Sequence, residues 1–207
     1  NQGQFPAVVE QANALIKEYP EEFIVWNILG AANIGLNRVS DASKAFEKVT
    51  ELNPTYADGF NNLGITLENQ GEFNEAIEAY NKALAVKPYY ADAYTNMGNA
   101  LKKQGKMVEA IEAYNKALAI KPDNAEAYNN TGITLQEQGK LEEAIGAYSK
   151  AIAIKPDYAE AWNNIGTTLQ GQRELEKAIE AYNKSLAIKP DYAEAYNNIG
   201  KTLREQG

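Results

Sequence analysis

The spacing of the prolines constrains this chain more than any other feature of its sequence. Six of the seven prolines recur every 34 residues, at Pro20, Pro54, Pro88, Pro122, Pro156 and Pro190. An aromatic residue, a glycine and an alanine stand in fixed register before them, as Trp162, Gly166 and Ala178 do before Pro190. Self-similarity at such a period predicts a repeat array, because each repeat can bury its apolar face only against its neighbours.

Each repeat is predicted to form two antiparallel helices. In residues 125–158, apolar and small residues recur at helical spacing from Tyr128 to Leu135, and again from Leu141 to Ile152. We therefore expect an all-α fold and a single array over residues 1–207. Its full repeats are 23–56, 57–90, 91–124, 125–158 and 159–192, between half repeats at 1–22 and 193–207.

Glycines in the middle of the first helix predict a close contact between the two helices of a repeat. Gly64 is one example, and glycine inside a helix costs about 1 kcal/mol relative to alanine. We expect the second-helix alanine, here Ala76, to face this glycine, while Tyr80 fills the wider part of the gap. The close approach would then offset the cost of the glycine.

The ends of the helices carry their own signals. Gly71, Gly105 and Gly139 are predicted left-handed caps of first helices, with Asn37 and Arg173 in the same place in two other repeats. Each proline is predicted to end the second helix, because the residue before a proline is pushed out of helical geometry. Aspartate followed three residues later by glutamate, as at Asp157 and Glu160, has the spacing of a capping box.

Composition excludes several classes of function. The chain has no cysteine and no histidine, which removes thiolate metal sites and the commonest general base. A formal net charge of −8 disfavours nucleic acid and anionic membrane as partners. No nucleophile–base pair or phosphate loop stands out from the repeat, so we expect neither an enzyme within this segment nor a cofactor or metal site.

The sequence contains no recognisable targeting segment. No apolar stretch approaches the roughly 20 residues of a membrane span, and no leader opens the chain. We therefore expect a cytoplasmic location. The first residues resemble the inside of a repeat, so we also expect both ends to be truncated.

The whole chain resembles a tetratricopeptide repeat array. The pattern of that family is Trp-x2-Leu-Gly-x2-Tyr, then Ala-x3-Phe, then Pro. Repeat 23–56 matches it with Trp26, Leu29, Gly30, Ala42, Phe46 and Pro54. Asn33 stands where the family has tyrosine. The resemblance implies an all-α, right-handed superhelical solenoid whose first helices line a concave groove.

Asparagine recurs at two of the positions that this resemblance places in the groove. We number each repeat from its first residue, so that position 1 is residue 23, 57, 91, 125, 159 or 193. Position 6 holds Asn62, Asn96, Asn130, Asn164 and Asn198, and position 5 holds Asn61, Asn129 and Asn163 among others. Asparagine is a mediocre helix former, so helix propensity does not explain a doubled asparagine in mid-helix.

The asparagines predict a protein-interaction scaffold that binds an extended peptide. Their amides complement a peptide backbone, and the repeats look most like the arm of O-linked N-acetylglucosamine transferases, where position-6 asparagines hold substrate peptide. The alternative is that the asparagines bond to one another. Lys102 begins a small basic group that would meet an acidic ligand residue, or is a solvated helix end.

Two further functions remain open. The segment would be a substrate-recruiting arm of a larger transferase, or it would assemble head to tail with other copies. The latter prediction comes from apolar residues that the terminal half repeats leave without their usual cover. They are Val8, Ala12 and Leu15 in the first helix of the chain and Tyr196, Ile199 and Leu203 in the last.

Overall fold

The computed structural model describes residues 2–207. This part of the chain forms a short 3-10 helix, Gln2–Gln4, followed by twelve α-helices. In the first half they are α1 (Phe5–Glu18), α2 (Phe23–Gly35), α3 (Val39–Leu52), α4 (Ala57–Gln70), α5 (Phe73–Val86) and α6 (Ala91–Lys103). In the second half they are α7 (Met107–Ile120), α8 (Ala125–Glu137), α9 (Leu141–Ile154), α10 (Ala159–Gly171), α11 (Leu175–Ile188) and α12 (Ala193–Gln206).

The helices form two compact units that divide between Lys106 and Met107. In the first unit, α2 packs on α3 and α4 on α5, and consecutive helix pairs stack through α3 and α4 and through α5 and α6. In the second unit, α8 packs on α9 and α10 on α11, with the same stacking between consecutive pairs. The even-numbered helices are the first helices of the repeats. The expected all-α architecture of stacked helix pairs is confirmed.

The aromatic ring of the second helix, rather than its alanine, lies against the mid-helix glycine. A Cβ atom on Gly64 would stand 2.5 Å from the Tyr80 ring, and one on Gly132 would stand 2.5 Å from the Tyr148 ring. Ala76 is fully buried, but it is not among the nearest neighbours of Gly64. The close contact was therefore predicted correctly, but its partner was not.

The helix ends confirm the left-handed caps. Gly71, Gly105 and Gly139 have φ angles of 82°, 78° and 77°, and Asn37 and Arg173 share this region with φ of 57° and 65°. The chain leaves helical geometry before the prolines, as at Lys87, where φ is −129° and ψ is 86°.

The predicted capping boxes are wrong by one residue. Helix α10 begins at Ala159, and its N-cap is Tyr158, which makes no side-chain capping bond. In α8 the N-cap is Asn124, whose Oδ1 accepts from the backbone amide of Ala127 at 3.0 Å. The aspartates lie one position too early because they belong to the turn that follows the proline.

Candidate functional site

The position-6 asparagines, which we call the asparagine ladder, bond to the preceding repeat. In the first unit, Asn96 Nδ2 donates to Asn61 Oδ1 at 3.0 Å, and Asn62 Nδ2 donates to Asn27 Oδ1 at 3.4 Å. In the second unit, Asn164 Nδ2 donates to Asn129 Oδ1 at 3.1 Å, and Asn198 Nδ2 donates to Asn163 Oδ1 at 3.1 Å. Asn130 occupies the same position of α8 and is half-buried. A position-6 amide thus reaches the position-5 oxygen of the repeat before it.

The position-5 asparagines lie inside the stack. Asn61 and Asn129 are buried, and Asn163 has an exposed fraction of 0%. Position 5 lies about 100° around the helix from position 6, which turns it toward the neighbouring first helix. Our expectation that Asn61, Asn129 and Asn163 contact a peptide directly is therefore corrected, because these side chains support the ladder from within.

The ladder side chains keep unused hydrogen-bonding capacity. A primary amide has two donor hydrogens and an acceptor oxygen. In Asn62, Asn96, Asn164 and Asn198 the bond to the preceding repeat uses one hydrogen, and the described part of the chain supplies no partner for the rest of the amide. All four side chains are half-buried. Each amide is thus oriented by one bond while it retains a donor and an acceptor.

A second row of polar groups lies at position 12, next to the buried tyrosines of the second helices. The Tyr80 hydroxyl donates to Glu68 Oε2 at 3.1 Å. In the second unit, the hydroxyls of Tyr148 and Tyr182 make the equivalent bonds, to Gln136 at 2.9 Å and to Gln170 at 3.0 Å. Each bond satisfies a hydroxyl at the edge of a fully packed ring.

Burial shifts the pKa values of Glu68 and Tyr80 in this row. Burial raises the pKa of the Glu68 carboxyl, while the hydrogen bond from Tyr80 and the charge of Lys103 oppose that rise. Burial also raises the pKa of Tyr80, and the neighbouring Glu68 adds to the effect. Tyr80 therefore remains a protonated donor at physiological pH. Lys102 is half-buried at position 12 of α6, in the same register as Glu68.

Repeat 23–56 departs from both rows. Its first helix places Ile24 at position 2, Ile28 at position 6 and Ile34 at position 12, with exposed fractions of 53%, 45% and 37%. Phe46 replaces the tyrosine of the second helix. This apolar face was not predicted, although it is visible in the sequence as Ile24, Ile28 and Ile34 at positions that are polar in the other repeats.

The predicted self-association residues differ in exposure. Leu15, Tyr196 and Leu203 are exposed, and Val8 and Ile199 are half-buried. Ala12 has an exposed fraction of only 2%, because it packs in a cluster with residues of α2 and α3. The expectation that Ala12 lies bare is wrong, since Ala12 is on the side of α1 that meets the rest of the first unit.

No group of three or more acidic side chains in residues 2–207 is arranged to hold a metal ion. Within the same range, no helix is both long enough and apolar enough to cross a membrane.

Comparison with known sequences decides the family. The family model described as TPR repeat matches residues 69–105, 98–139, 134–173 and 170–207. Two models described as tetratricopeptide repeat match residues 45–78 and 24–56. The chain belongs to the tetratricopeptide repeat family. Tetratricopeptide repeats are generally non-catalytic, and this array is a protein-interaction scaffold.

Similar proteins match this chain over different parts of their length. The peroxisomal targeting signal receptor of Candida albicans is 32% identical over 68 residues, which are 33% of this chain and 12% of the receptor. The chain therefore corresponds to a small part of that relative. The crystal structure of MamA is 28% identical, with a TM-score of 0.71, over 80% of this chain and 97% of MamA.

A further solved structure supports the fold alone. YrrB, described as a TPR protein with an unusual peptide-binding site, has a TM-score of 0.68 and 24% identity over 91% of this chain and 97% of YrrB.

Proposed function

We propose that the asparagine ladder binds the backbone of an extended segment of another protein. This proposal rests on the unused hydrogen-bonding capacity of the ladder amides. Each amide for which the bond is described is held by one hydrogen bond and keeps a donor and an acceptor, as Asn96 does. A peptide group offers one donor and one acceptor in return. The ligand would pair with side chains that are already oriented, so little rotamer entropy would be lost on binding.

The spacing of the repeats suits an extended ligand. Packed helices lie about 8–10 Å apart, and an extended chain advances about 3.3 Å per residue. Within one unit, a ladder amide would therefore meet about every third residue of the ligand. Contacts to the ligand backbone tolerate many sequences, so this part of the site would supply affinity rather than discrimination.

A matched pair of triple variants tests the proposal. Asn62, Asn96 and Asn164 are replaced by alanine in one protein, and three exposed asparagines of second helices are replaced in the control, namely Asn81, Asn115 and Asn183. Binding to an array of unstructured synthetic peptides is measured for both. Because a hydrogen bond contributes about 0.5–1.5 kcal/mol, we expect the ladder variant to lose about tenfold or more in affinity. The control should bind like the wild type.

Stability separates binding from a purely structural role. Removing the ladder also removes bonds between repeats, so thermal unfolding and far-UV circular dichroism must be recorded for both variants. A lower unfolding temperature with unchanged peptide affinity would show that the ladder only holds the repeats together.

We also propose head-to-tail association of copies, because two terminal helices carry exposed apolar side chains. Leu15 lies on α1, and Tyr196 and Leu203 lie on α12. Contact between unlike ends is a heterologous interface, which tends toward open filaments. We expect Leu203→Glu to abolish concentration-dependent sedimentation, whereas Val108→Glu, at an exposed apolar site on α7, should not. A wild-type protein that stays monomeric at all concentrations would contradict this.

A further inference from the structure

The first helix of repeat 23–56 has a different chemistry from the first helices that follow it. Helix α2 contains no charged residue, and its sequence is FIVWNILGAANIG. At position 6 it has Ile28 where the other first helices have asparagine, and at position 2 it has Ile24 where they have aspartate or glutamate. Ile24 and Ile28 are both exposed. These exposed aliphatic side chains stand at positions that are polar in the other repeats, and apolar surface of this kind is a candidate interaction site when it is contiguous.

A small cavity adjoins this apolar face and the asparagine ladder. Its volume is about 250 Å³, and it is lined by Ala31, Ile34, Phe46, Asn62, Ile65 and Thr66. Asn62 belongs to the ladder, so a peptide on the ladder would pass the mouth of the cavity. Pockets for small molecules usually span about 300–1,000 Å³, so this one fits a single side chain better than a drug-sized ligand.

The walls of the cavity suit an apolar group. The Thr66 hydroxyl donates to the backbone oxygen of Asn62 at 2.7 Å, and Asn62 Nδ2 is bonded to Asn27. The Thr66 hydroxyl therefore keeps a hydrogen-bond partner when an apolar group displaces water from the cavity. Burial of a polar group is costly mainly when the group is left without such a partner. Phe46 has no hydroxyl, whereas Tyr80 places one at the same position of the next repeat.

The residue at position 12 changes from apolar to acidic to basic along the first unit. Position 12 holds Ile34, Glu68 and Lys102 in three successive repeats of the first unit. With repeats about 8–10 Å apart, an extended peptide would meet an apolar wall, a carboxylate and an ammonium at intervals of about three residues. Because burial raises the pKa of Glu68, a ligand cation beside it would favour its charged form.

We propose that residues 23–106 select an extended peptide whose apolar side chain fills this cavity and whose basic and then acidic residues follow at intervals of about three positions. This inference rests on the proposed binding of peptide backbone by the ladder and adds the sequence preference that the ladder lacks. The cavity is the anchor site, and the charges of Glu68 and Lys102 set the direction of the peptide.

Three synthetic peptides in a serine–alanine background test this selection. The first has leucine, lysine and aspartate at the proposed spacing, the second has serine in place of leucine, and the third has the lysine and aspartate exchanged. By fluorescence anisotropy we expect the serine peptide to bind the wild-type chain about tenfold to a hundredfold more weakly, since burying a leucine side chain contributes that much. The exchanged peptide should bind about fivefold more weakly, as expected for ion pairs that remain partly exposed to solvent.

Two variants locate the anchor. Ile34→Gln makes the cavity wall polar, and Ala31→Leu fills the cavity from an exposed position. Both should reduce the preference for leucine over serine by about tenfold. The control is Ile154→Gln, because Ile154 on α9 has the same exposed fraction as Ile34, 37%. This control should keep the full preference.

The outcomes separate this inference from the proposed function. Equal binding of the leucine and serine peptides to the wild-type chain would overturn the anchor site, and so would a leucine preference that survives both variants. If the ladder variant loses binding to the peptide array while the leucine and serine peptides do not differ, the proposed function stands and this inference fails. Absence of binding by all three peptides would also overturn the proposed sequence preference. The proposed backbone binding would not be affected, because it is tested separately with the array of synthetic peptides.

Discussion

Repeats 23–56 and 57–90 stack side by side in one unit. They share the same packing between their two helices, but the surfaces that they present differ. In both, an aromatic ring of the second helix covers a glycine of the first, Phe46 over Gly30 and Tyr80 over Gly64. In the first repeat the ring borders an apolar cavity together with Ile34. In the second, the ring ends in a hydroxyl that donates to Glu68.

This difference shows that the aromatic ring and its hydroxyl have separate roles, one in packing and the other in hydrogen bonding. The ring is required because it fills the space that each glycine leaves. In repeats 57–90, 125–158 and 159–192 the hydroxyl donates to an acceptor at position 12, as in the pairs of Tyr148 with Gln136 and Tyr182 with Gln170. A buried polar group must be paired, so in these three repeats the tyrosine hydroxyl depends on its position-12 acceptor, whereas Phe46 faces Ile34 and needs none.

The largest effect should come from filling the glycine contact. Gly64→Ala places a Cβ atom 2.5 Å from the Tyr80 ring, and Gly30→Ala places one 2.7 Å from the Phe46 ring. Overpacking of this kind costs about 1–3 kcal/mol. We expect Gly64→Ala to cost more in urea unfolding, because the bond to Glu68 holds the Tyr80 ring in place.

Gly200 provides the control for this prediction. An added Cβ atom there meets nothing within 4 Å, so Gly200→Ala should stabilise α12 by up to about 1 kcal/mol. Equal losses for the Gly30 and Gly64 variants would show that the hydroxyl does not tether the ring.

Exchanging the chemistry of the first repeat is the next test. Phe46→Tyr brings a hydroxyl to an apolar cavity, and an unsatisfied hydroxyl costs about 1–3 kcal/mol. Adding Ile34→Gln should recover most of that loss, because it recreates the pair of Tyr148 and Gln136. A double-mutant cycle in urea measures the coupling. Additive losses would contradict the paired requirement.

The loops of two repeats offer a smaller test. Arg173 and Asn37 both have positive φ, 65° and 57°. A left-handed conformation costs most L residues about 1–2 kcal/mol, but asparagine tolerates it, and glycine adds freedom to the unfolded chain. We expect Arg173→Gly to stabilise the protein by about 0.5–1 kcal/mol and Asn37→Gly to change little. Thermal unfolding of both variants checks the difference.

The smallest effect should come from the charge of Glu68. Burial holds its pKa in the folded protein above the ordinary 4.5. The charged carboxylate therefore lowers folding stability above the folded-state pKa, and this cost vanishes below pH 4.5, where both states are protonated. Glu68→Gln keeps an acceptor for Tyr80, as Gln136 does for Tyr148.

The pH dependence of this variant is the readout. We expect Glu68→Gln to unfold at a slightly higher temperature than the wild type at neutral pH and at the same temperature below pH 4.5. A difference that does not change with pH would mean that the charge is not its cause.

Local patterns made much of the fold predictable. The helical spacing of apolar and small residues within the 34-residue repeat predicted the helix pairs, and the loop glycines predicted the left-handed caps. The capping box failed because its spacing is also met inside the turn that follows each proline, where Asp157 precedes the N-cap Tyr158. Spacing along the chain does not say which of two adjacent residues leaves the helix first.

The candidate site was only partly predictable, because it depends on which neighbour each side chain reaches. The doubled asparagines were visible in the sequence, but their alternatives, ligand binding or bonding to one another, stayed open. The structure shows that position 5 turns inward, as at Asn163, and accepts the bond from position 6, as from Asn198. The cavity at Ile34 went unnoticed because its walls come from two repeats.

The sequence by itself determined that this protein is a tetratricopeptide repeat array, because the 34-residue period and helical spacing are properties of one chain segment at a time. Only the tertiary structure decided which asparagines are buried, that Ala12 is covered, and that Phe46 and Ile34 share a cavity with Asn62. Burial and hydrogen bonding depend on residues that are distant in sequence. Part of those contacts lies within each repeat, and stacking on the next repeat supplies the rest.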